Sequence, residues 1–283
     1  MKAGQKINMK YLIIGAGGTG GVTGYYMKKA GKDVTLIARG EHLKKIQKQG
    51  LTLEKMWDKT EENISIPATD MEHYAEHPDV IFVCVKGYSL QETIPFIKRI
   101  ARKNTIVIPV LNIYGTGGKM QKELPDLLVT DGCIYVSANI KEPGKLLQHG
   151  QILHIVFGVR DKAEFRPELK EIQKDLCDSH IDGTLSENIR REALEKFSYV
   201  SPIGAAGLYY HATAADFQKE GEARELFKTM IREIATLAEA MGIPFQKDMV
   251  DVNLKNSLQP RTGSNYLYAE RHHGRKNSLK LMD

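Results

Sequence analysis

A glycine-rich turn near the start of the chain constrains the fold most strongly. It follows the apolar run 11–14 and precedes a helical pattern (22–29) and a second apolar run, 34–38. In such a unit the glycines permit a tight turn, close approach to a diphosphate and close packing of the helix on the strand. An ordinary turn is the alternative, but this context predicts a dinucleotide-binding loop. Its members are Gly15, Ala16, Gly17, Gly18, Thr19 and Gly20.

The end of the second apolar run indicates which dinucleotide is bound. An NAD site usually has an acidic residue there to bind the ribose 2′-hydroxyl, whereas this chain has Ala38, Arg39 and Gly40. A guanidinium can bind a 2′-phosphate with paired donors, and Lys44 and Lys45 add positive potential nearby. A solvated surface arginine is the alternative. We therefore predict NADPH as the cofactor, with Arg39 at its 2′-phosphate.

Composition narrows the class of protein. A length of 283 residues and 42% hydrophobic content suit two water-soluble domains, and no apolar segment is long enough to span a membrane. The net charge of +5 is spread among 35 acidic residues, so we predict no nucleic-acid partner. The first ten residues are polar and basic, unlike a secretion signal. The sequence leaves the oligomeric state open, with a homodimer as one option.

The cysteines and histidines indicate neither disulfides nor a metal. Cys84, Cys133 and Cys177 are odd in number and far apart, as is typical of reduced thiols in a cytoplasmic protein. No His, Cys and carboxylate cluster has metal-ligand spacing, so we predict no metal site.

The order of apolar runs predicts an α/β protein with an N-terminal Rossmann-type doubly wound sheet followed by an all-helical C-terminal domain. Pro109 should limit the pairing of the fourth strand. Two later runs should form antiparallel strands that close the same sheet. We place an NADP-binding Rossmann-like domain at 1–182 and a helical substrate and catalytic domain at 183–283. The predicted strands are 11–14, 34–38, 80–85, 105–111, 133–140 and 152–159, and the longest predicted helix is 217–241.

Polar residues end two further strands of the predicted sheet. Lys86 follows the run 80–85, and Asn112 follows the run that contains Pro109. Ligands bind outside the carboxyl ends of strands in an open parallel sheet. Each residue alone could be a solubilising strand end, but their coincidence at successive strand ends favours binding.

Lys196 is the unusual residue of the helical half. A helical projection places it on the same face as Ile189, Ala193 and Val200, so a lysine falls on an apolar face. A snorkelling side chain is one interpretation. If the face borders a cleft between the domains, the ammonium could instead donate a proton to a developing alkoxide as hydride arrives from NADPH.

The chain resembles the ketopantoate reductases (2-dehydropantoate 2-reductases) over nearly its whole length. The shared motifs are the glycine loop, Arg39-Gly40 with Glu41-His42-Leu43, the strand end at Lys86, Asn112 and Glu195-Lys196-Phe197. The resemblance implies NADPH-dependent reduction of the 2-keto acid 2-dehydropantoate to (R)-pantoate, a step towards pantothenate. It also implies Lys196 as catalytic proton donor and substrate contact, Asn112 as a contact of cofactor and substrate, and Lys86 as a contact of the cofactor.

The chain departs from the family pattern in its helical half. Asparagines are common one and two turns after the lysine, where this chain has Val200 and Gly204. Near the C-terminus the serine-rich substrate motif is altered, and Ser264 is the candidate substrate contact there. Two alternatives therefore stay open: a paralogous NADPH-dependent reductase of another 2-keto acid, or a catalytically silent NADPH-binding regulator.

Overall fold

A computed structural model describes residues 9–258 of the chain, with side chains to residue 255. The chain divides into two compact units between Ala193 and Leu194. The domain boundary that the sequence places between 182 and 183 stays a prediction.

The elements of the first unit are β1 Lys10–Ile14, α1 Gly18–Lys29, β2 Asp33–Ile37, α2 Gly40–Gln49, β3 Leu51–Lys55, β4 Thr60–Ile64, β5 Ala68–Thr69, β6 Val80–Val83, α3 Leu90–Ile100, β7 Ile106–Pro109, α4 Thr116–Glu123, β8 Leu128–Val129, β9 Asp131–Glu142, β10 Lys145–Gly158, α5 Glu168–Asp178 and β11 Asp182–Leu185.

Six strands form a parallel sheet in the order β5-β2-β1-β6-β7-β8. The predicted Rossmann-type sheet is confirmed. Its central strands β1, β6 and β7 are nearly continuous apolar runs, as expected for parallel strands that are covered on both faces. In β1, Tyr11 and Ile13 belong to one core cluster, whereas Leu12 and Ile14 belong to the other. Pro109 is the last residue of β7 and pairs with Val83, so it ends the strand and does not interrupt it.

The later strands form a second sheet. β9 and β10 pair antiparallel as predicted, but they do not close the first sheet, so that part of the prediction is wrong. The start of β10 also pairs with β3, and the end of β10 pairs with β11, both in parallel. β4 pairs with β3 and completes the strand order β11-β10-β3-β4. Helix α1 lies between the two sheets: Gly24 faces Ile13 of the first, and Gly21 faces Leu146 of the second.

The described part of the second unit, to residue 258, is helical. The remaining elements are α6 Ile189–Tyr210, whose first turns precede the division, α7 Glu222–Ala240 and α8 Met249–Leu258, with a 3₁₀ turn at Asp216–Gln218. The small core includes Phe217 and Phe227, whose ring centroids are 5.0 Å apart. The helix predicted from residue 217 begins instead at Glu222, because Gly221 (φ 145°) separates it from the 3₁₀ turn. A helical C-terminal region after a Rossmann-type sheet confirms the predicted fold class.

Candidate functional site

Four neighbouring strands of the parallel sheet end in one row. Ile37 of β2 is paired with Ile14 of β1, Ile14 with Val83 of β6, and Val83 with Pro109 of β7. β2 and β6 lie on opposite sides of β1, so the chain order reverses there. Open α/β sheets bind ligands at such a switch point, outside the carboxyl ends of the strands.

The glycine loop leaves β1 at this edge. The amides of Gly15 and Ala16 both donate to the carbonyl of Ile37, at 3.0 and 3.1 Å. A Cβ atom on Gly20 would overlap the carbonyl oxygen of Gly15 and lie 2.8 Å from Ile13 Cγ2. This is the close packing of helix on strand that the sequence predicts for the glycines of this loop. Gly18 is equally restricted, because a Cβ there would overlap the backbone of Ala138 in β9.

The other side of the loop is open. At Gly17, the residue before α1, nothing lies within 4 Å of the position that a Cβ atom would take. The first amides of a helix have no intrahelical partners and carry the positive end of its dipole, which favours an anion. The first turn of α1 contains no acidic residue that would oppose one. The loop can therefore hold a diphosphate.

His42 joins this loop to two other elements, a role that the sequence alone does not reveal. It lies in the first turn of α2, where its Nε2 is 2.9 Å from the carbonyl oxygen of Ala16. Its Nδ1 accepts from the amide of Gly144, at 3.0 Å, in the turn between β9 and β10. Burial lowers the pKa of His42, and the hydrogen bond to Ala16 opposes that shift. The only sign of His42 in the sequence is its place in the shared motif Glu41-His42-Leu43. A shared motif does not show which group the side chain contacts.

The three predicted polar contacts lie after strands of the same row. Arg39 is exposed and immediately precedes α2. Lys86 and Asn112 are exposed residues in the connections that follow β6 and β7. These two connections touch, since a Cβ atom on Gly87 would be 2.5 Å from Ile113 Cδ1. The loops that contain Lys86 and Asn112 therefore lie against each other. They follow β6 and β7, on one side of β1, the strand that leads into the glycine loop.

Asp131, at the start of β9, fixes the helix that follows Asn112. It is 7% exposed, and its carboxylate lies against the first turn of α4, where a Cβ atom on Gly117 would overlap its Oδ1. Burial raises the pKa of Asp131, opposed chiefly by Arg160, whose Nη1 is 3.6 Å away. The sequence gives no local signal for this anchor, because residues 117 and 131 belong to different elements.

In the second unit, Lys196 is buried, at 8% exposure. This burial agrees with the apolar face on which the sequence places Lys196, and its role as proton donor stays a prediction. Val200 and Gly204, one and two turns later on α6, present no polar side-chain atom. Ser264, the third predicted substrate contact, lies outside the described residues.

Other features bear on the chemistry. The three cysteines are free thiols, and burial raises the pKa of Cys84 to about 12, so this thiol beside the loop stays protonated at neutral pH. Within residues 9–258, no group of three His, Cys, Asp or Glu side chains could hold a metal ion. No helix in the same range is long and apolar enough to cross a membrane.

Comparison with known proteins places these features in a family. The family model described as ketopantoate reductase PanE/ApbA matches residues 11–162, and the model of its C-terminal part matches 188–277. A 2-dehydropantoate 2-reductase from Pyrococcus horikoshii is 26% identical over 280 residues, covering 97% of this chain and 88% of that protein.

Solved structures show the same fold. A 2-dehydropantoate 2-reductase from Methylococcus capsulatus has a TM-score of 0.79 at 16% identity, covering 94% of this chain and 85% of that one. D-mandelate dehydrogenase, solved with NADH and anilino(oxo)acetate, has a TM-score of 0.81 at 20% identity, covering 91% and 83%.

Proposed function

The chain belongs to the ketopantoate reductase family, and from that premise we propose that it reduces 2-dehydropantoate to (R)-pantoate with NADPH. Membership makes it an oxidoreductase that reduces a 2-keto acid with a nicotinamide cofactor. The choice of substrate is supported by the 2-dehydropantoate 2-reductase that aligns with 97% of the chain. The observation that carries the chemistry is Lys196, a lysine only 8% exposed in a chain whose two halves both match the family.

The residues of the first unit fit a nicotinamide dinucleotide. We assign the diphosphate to the glycine loop, because the side of Gly17 is open and the first amides of α1 favour an anion. Arg39, exposed after β2, binds the 2′-phosphate in this proposal, which makes NADPH the preferred cofactor. Lys86 and Asn112 supply further polar contacts from the next two strand ends, Asn112 to both cofactor and substrate.

In the proposed mechanism, Lys196 is the proton donor. When bound, the reduced nicotinamide supplies hydride to the keto carbon. The Lys196 ammonium donates a proton to the carbonyl oxygen, so the product is an alcohol and no free alkoxide forms. Its positive charge also stabilises the negative charge that develops on that oxygen in the transition state.

Substitution of Lys196 tests this assignment. We expect Lys196→Ala to lower kcat by about 10²- to 10⁴-fold, the usual contribution of a general acid, and to leave the Kd for NADPH within about twofold. Loss of NADPH absorbance measures turnover, and fluorescence titration measures binding. Lys247→Ala, an exposed lysine of the same unit, is the matched control. Turnover in Lys196→Ala equal to that of the control would refute the proton-donor role.

A second candidate is reduction of a different 2-keto acid. Val200 and Gly204 favour it, because a substrate hydroxyl would find no polar side chain at these two positions of α6. Sites that hydrogen-bond a substrate hydroxyl discriminate strongly against analogues that lack it, so losing such partners changes specificity more than hydride chemistry. Ser264 stays a proposed substrate contact.

A panel of keto acids separates the candidates. We would compare kcat/KM for 2-dehydropantoate with that for 2-ketoisovalerate, which has a hydrogen atom in place of the hydroxymethyl group, and for phenylglyoxylate, which carries an aromatic ring. The main proposal expects 2-dehydropantoate to lead by at least tenfold, about 1.4 kcal/mol. A lead by either of the other acids would favour the second candidate. Tight NADPH binding without turnover of any acid would indicate a regulator.

A further inference from the structure

The contacts of His42 lead to an inference that rests on the proposed function and goes beyond it. His42 lies outside the glycine loop that we assign to the diphosphate. Its ring nevertheless binds the carbonyl of Ala16, a residue of that loop. Its other ring nitrogen binds the amide of Gly144. Both partners are backbone groups, so the geometry does not depend on the rotamer of another side chain.

The two partners fix the tautomer of His42. A backbone amide can only donate a hydrogen bond, so Nδ1 must present its lone pair to the amide of Gly144. A backbone carbonyl can only accept, so Nε2 must carry the proton and donate it to Ala16. The ring is therefore neutral when both bonds form, in agreement with the lowered pKa that burial gives it.

The Ala16 peptide connects this contact to the phosphate site. In a trans peptide, the carbonyl of one residue and the amide of the next point in opposite directions. When the Ala16 carbonyl is held towards His42, the amide of Gly17 must point away from α2. The side of Gly17 is open, with no atom within 4 Å of its Cβ position. The Ala16 amide is held as well, by Ile37, so the peptides on both sides of this residue are fixed.

The contact with Gly144 anchors the His42 ring to the second sheet. Gly144 lies in the turn between β9 and β10, and its own carbonyl accepts from the amide of Thr52 in β3 at 2.9 Å. The ring thus connects the loop of the first sheet to the paired backbone of the second. A side chain held at both ends loses little further freedom when the loop binds a ligand.

We propose that His42 is a positioning residue for the cofactor, which orients the Gly17 amide towards the diphosphate by holding the Ala16 carbonyl against the second sheet. In this role His42 acts through the loop and not by contact with cofactor or substrate. Its loss therefore weakens binding of the dinucleotide and leaves the chemical step intact.

Two amide substitutions separate the two contacts. The side-chain nitrogen of His42→Gln can reach the position of Nε2 and keep the bond to Ala16. The side-chain oxygen of His42→Asn can reach the position of Nδ1 and keep only the bond to Gly144. His42→Ala keeps neither, and Lys48→Ala, at an exposed position in the last turn of α2, is the matched control.

The first measurement is NADPH affinity and kinetics of the full chain. We expect His42→Asn and His42→Ala to raise the Kd and KM for NADPH about fivefold, the effect of one lost hydrogen bond, with kcat at saturating NADPH unchanged. His42→Gln should stay within about twofold of the wild type. Equal affinities for the Gln and Asn variants, or a loss confined to kcat, would overturn the proposal.

The second measurement needs no cofactor. Amide hydrogen exchange of the peptide that covers residues 15–21 should be faster in the Asn and Ala variants than in the wild type and the Gln variant. Equal exchange in all four proteins would contradict the holding role. A wild-type protein that binds neither NADPH nor NADH would refute the proposed function, while the exchange pattern would still decide the role of His42 in the loop.

Discussion

At the scale of single residues, Arg39 decides between the two nicotinamide cofactors. We expect Arg39→Ala to raise the Kd for NADPH about tenfold or more and to leave the Kd for NADH within about twofold, because only NADPH has the 2′-phosphate. A charge-assisted hydrogen bond contributes about 1.5–3 kcal/mol, and 1.4 kcal/mol corresponds to tenfold. Fluorescence titration with both cofactors measures this, with Lys48→Ala as control. Equal weakening of both would show that Arg39 does not recognise the phosphate.

His42 also predicts a pH dependence of stability. Burial lowers its pKa in the folded protein, so the unfolded chain takes up a proton first as the pH falls below about 6.5. The free energy of unfolding should therefore fall as the pH is lowered through that value, and be fully restored above it. The charged neighbours Glu41 and Lys145 are each ion-paired, with Lys44 and Glu61 respectively.

The measurement is the melting temperature of wild type and His42→Gln at about pH 7.5 and about pH 5.5. Glutamine does not titrate, so the wild type should lose more stability than the variant between these two values. A loss of the same size in both proteins would mean that other groups cause the acid sensitivity.

Residues at strand ends are easier to identify in the sequence than residues that act through tertiary contacts. Lys86 and Asn112 are candidates because a polar residue that ends an apolar run is visible in the sequence, and the carboxyl edge of a parallel sheet collects such residues. Their binding roles stay predictions. His42 and Asp131 could not be found, because their partners Gly144 and Gly117 lie far away in the chain. Which backbone group a buried polar side chain binds depends on the pairing of whole elements.

At the scale of elements, the parallel strands were predictable and the second sheet was not. β1, β6 and β7 are short, nearly continuous apolar runs buried on both faces, and such runs can be recognised in the sequence. β4 reads Thr-Glu-Glu-Asn-Ile and is largely exposed, so it has no apolar pattern to detect. The antiparallel pairing of β9 with β10 was predictable from the Pro143-Gly144 turn, but the choice of sheet depends on packing against α1, which leaves no local signal.

The anchoring of α4 by Asp131 predicts a large effect on stability. In Asp131→Ala the first turn of α4 loses the carboxylate that lies against Gly117, and the buried guanidinium of Arg160 loses a carboxylate at 3.6 Å. Unsatisfied buried donors cost about 1–3 kcal/mol, so we expect a loss of about 2–3 kcal/mol in the free energy of unfolding. Urea denaturation measures it. Asp126→Ala, at an exposed position between α4 and β8, should change it by less than about 0.5 kcal/mol. Similar losses in both variants would contradict the anchoring role.

At the scale of the whole molecule, the change from a strand-rich to a helix-rich sequence correctly indicated a helical C-terminal region. The position of a boundary is harder to obtain from local patterns. The matched family models leave residues 163–187 between them, and the boundary predicted at 182/183 lies in this interval. β11, at Asp182–Leu185, continues the second sheet by pairing with β10, and such a long-range pairing is invisible in the sequence around it.

The placement of the proposed cofactor contacts predicts how NADPH stabilises the protein. The glycine loop, Arg39, Lys86 and Asn112 all belong to the first unit. A ligand that binds only the folded state at 100 times its Kd adds about 2.7 kcal/mol, which raises the melting temperature by roughly 5–10 °C in a protein of this size. At the same NADPH concentration, Arg39→Ala with a tenfold higher Kd should gain only about 1.4 kcal/mol, close to half the shift. Differential scanning calorimetry measures both. If the two units unfold in separate transitions, only the transition of the first unit should move, and a shift confined to the helical unit would refute the assignment of the cofactor to the carboxyl edge of the parallel sheet.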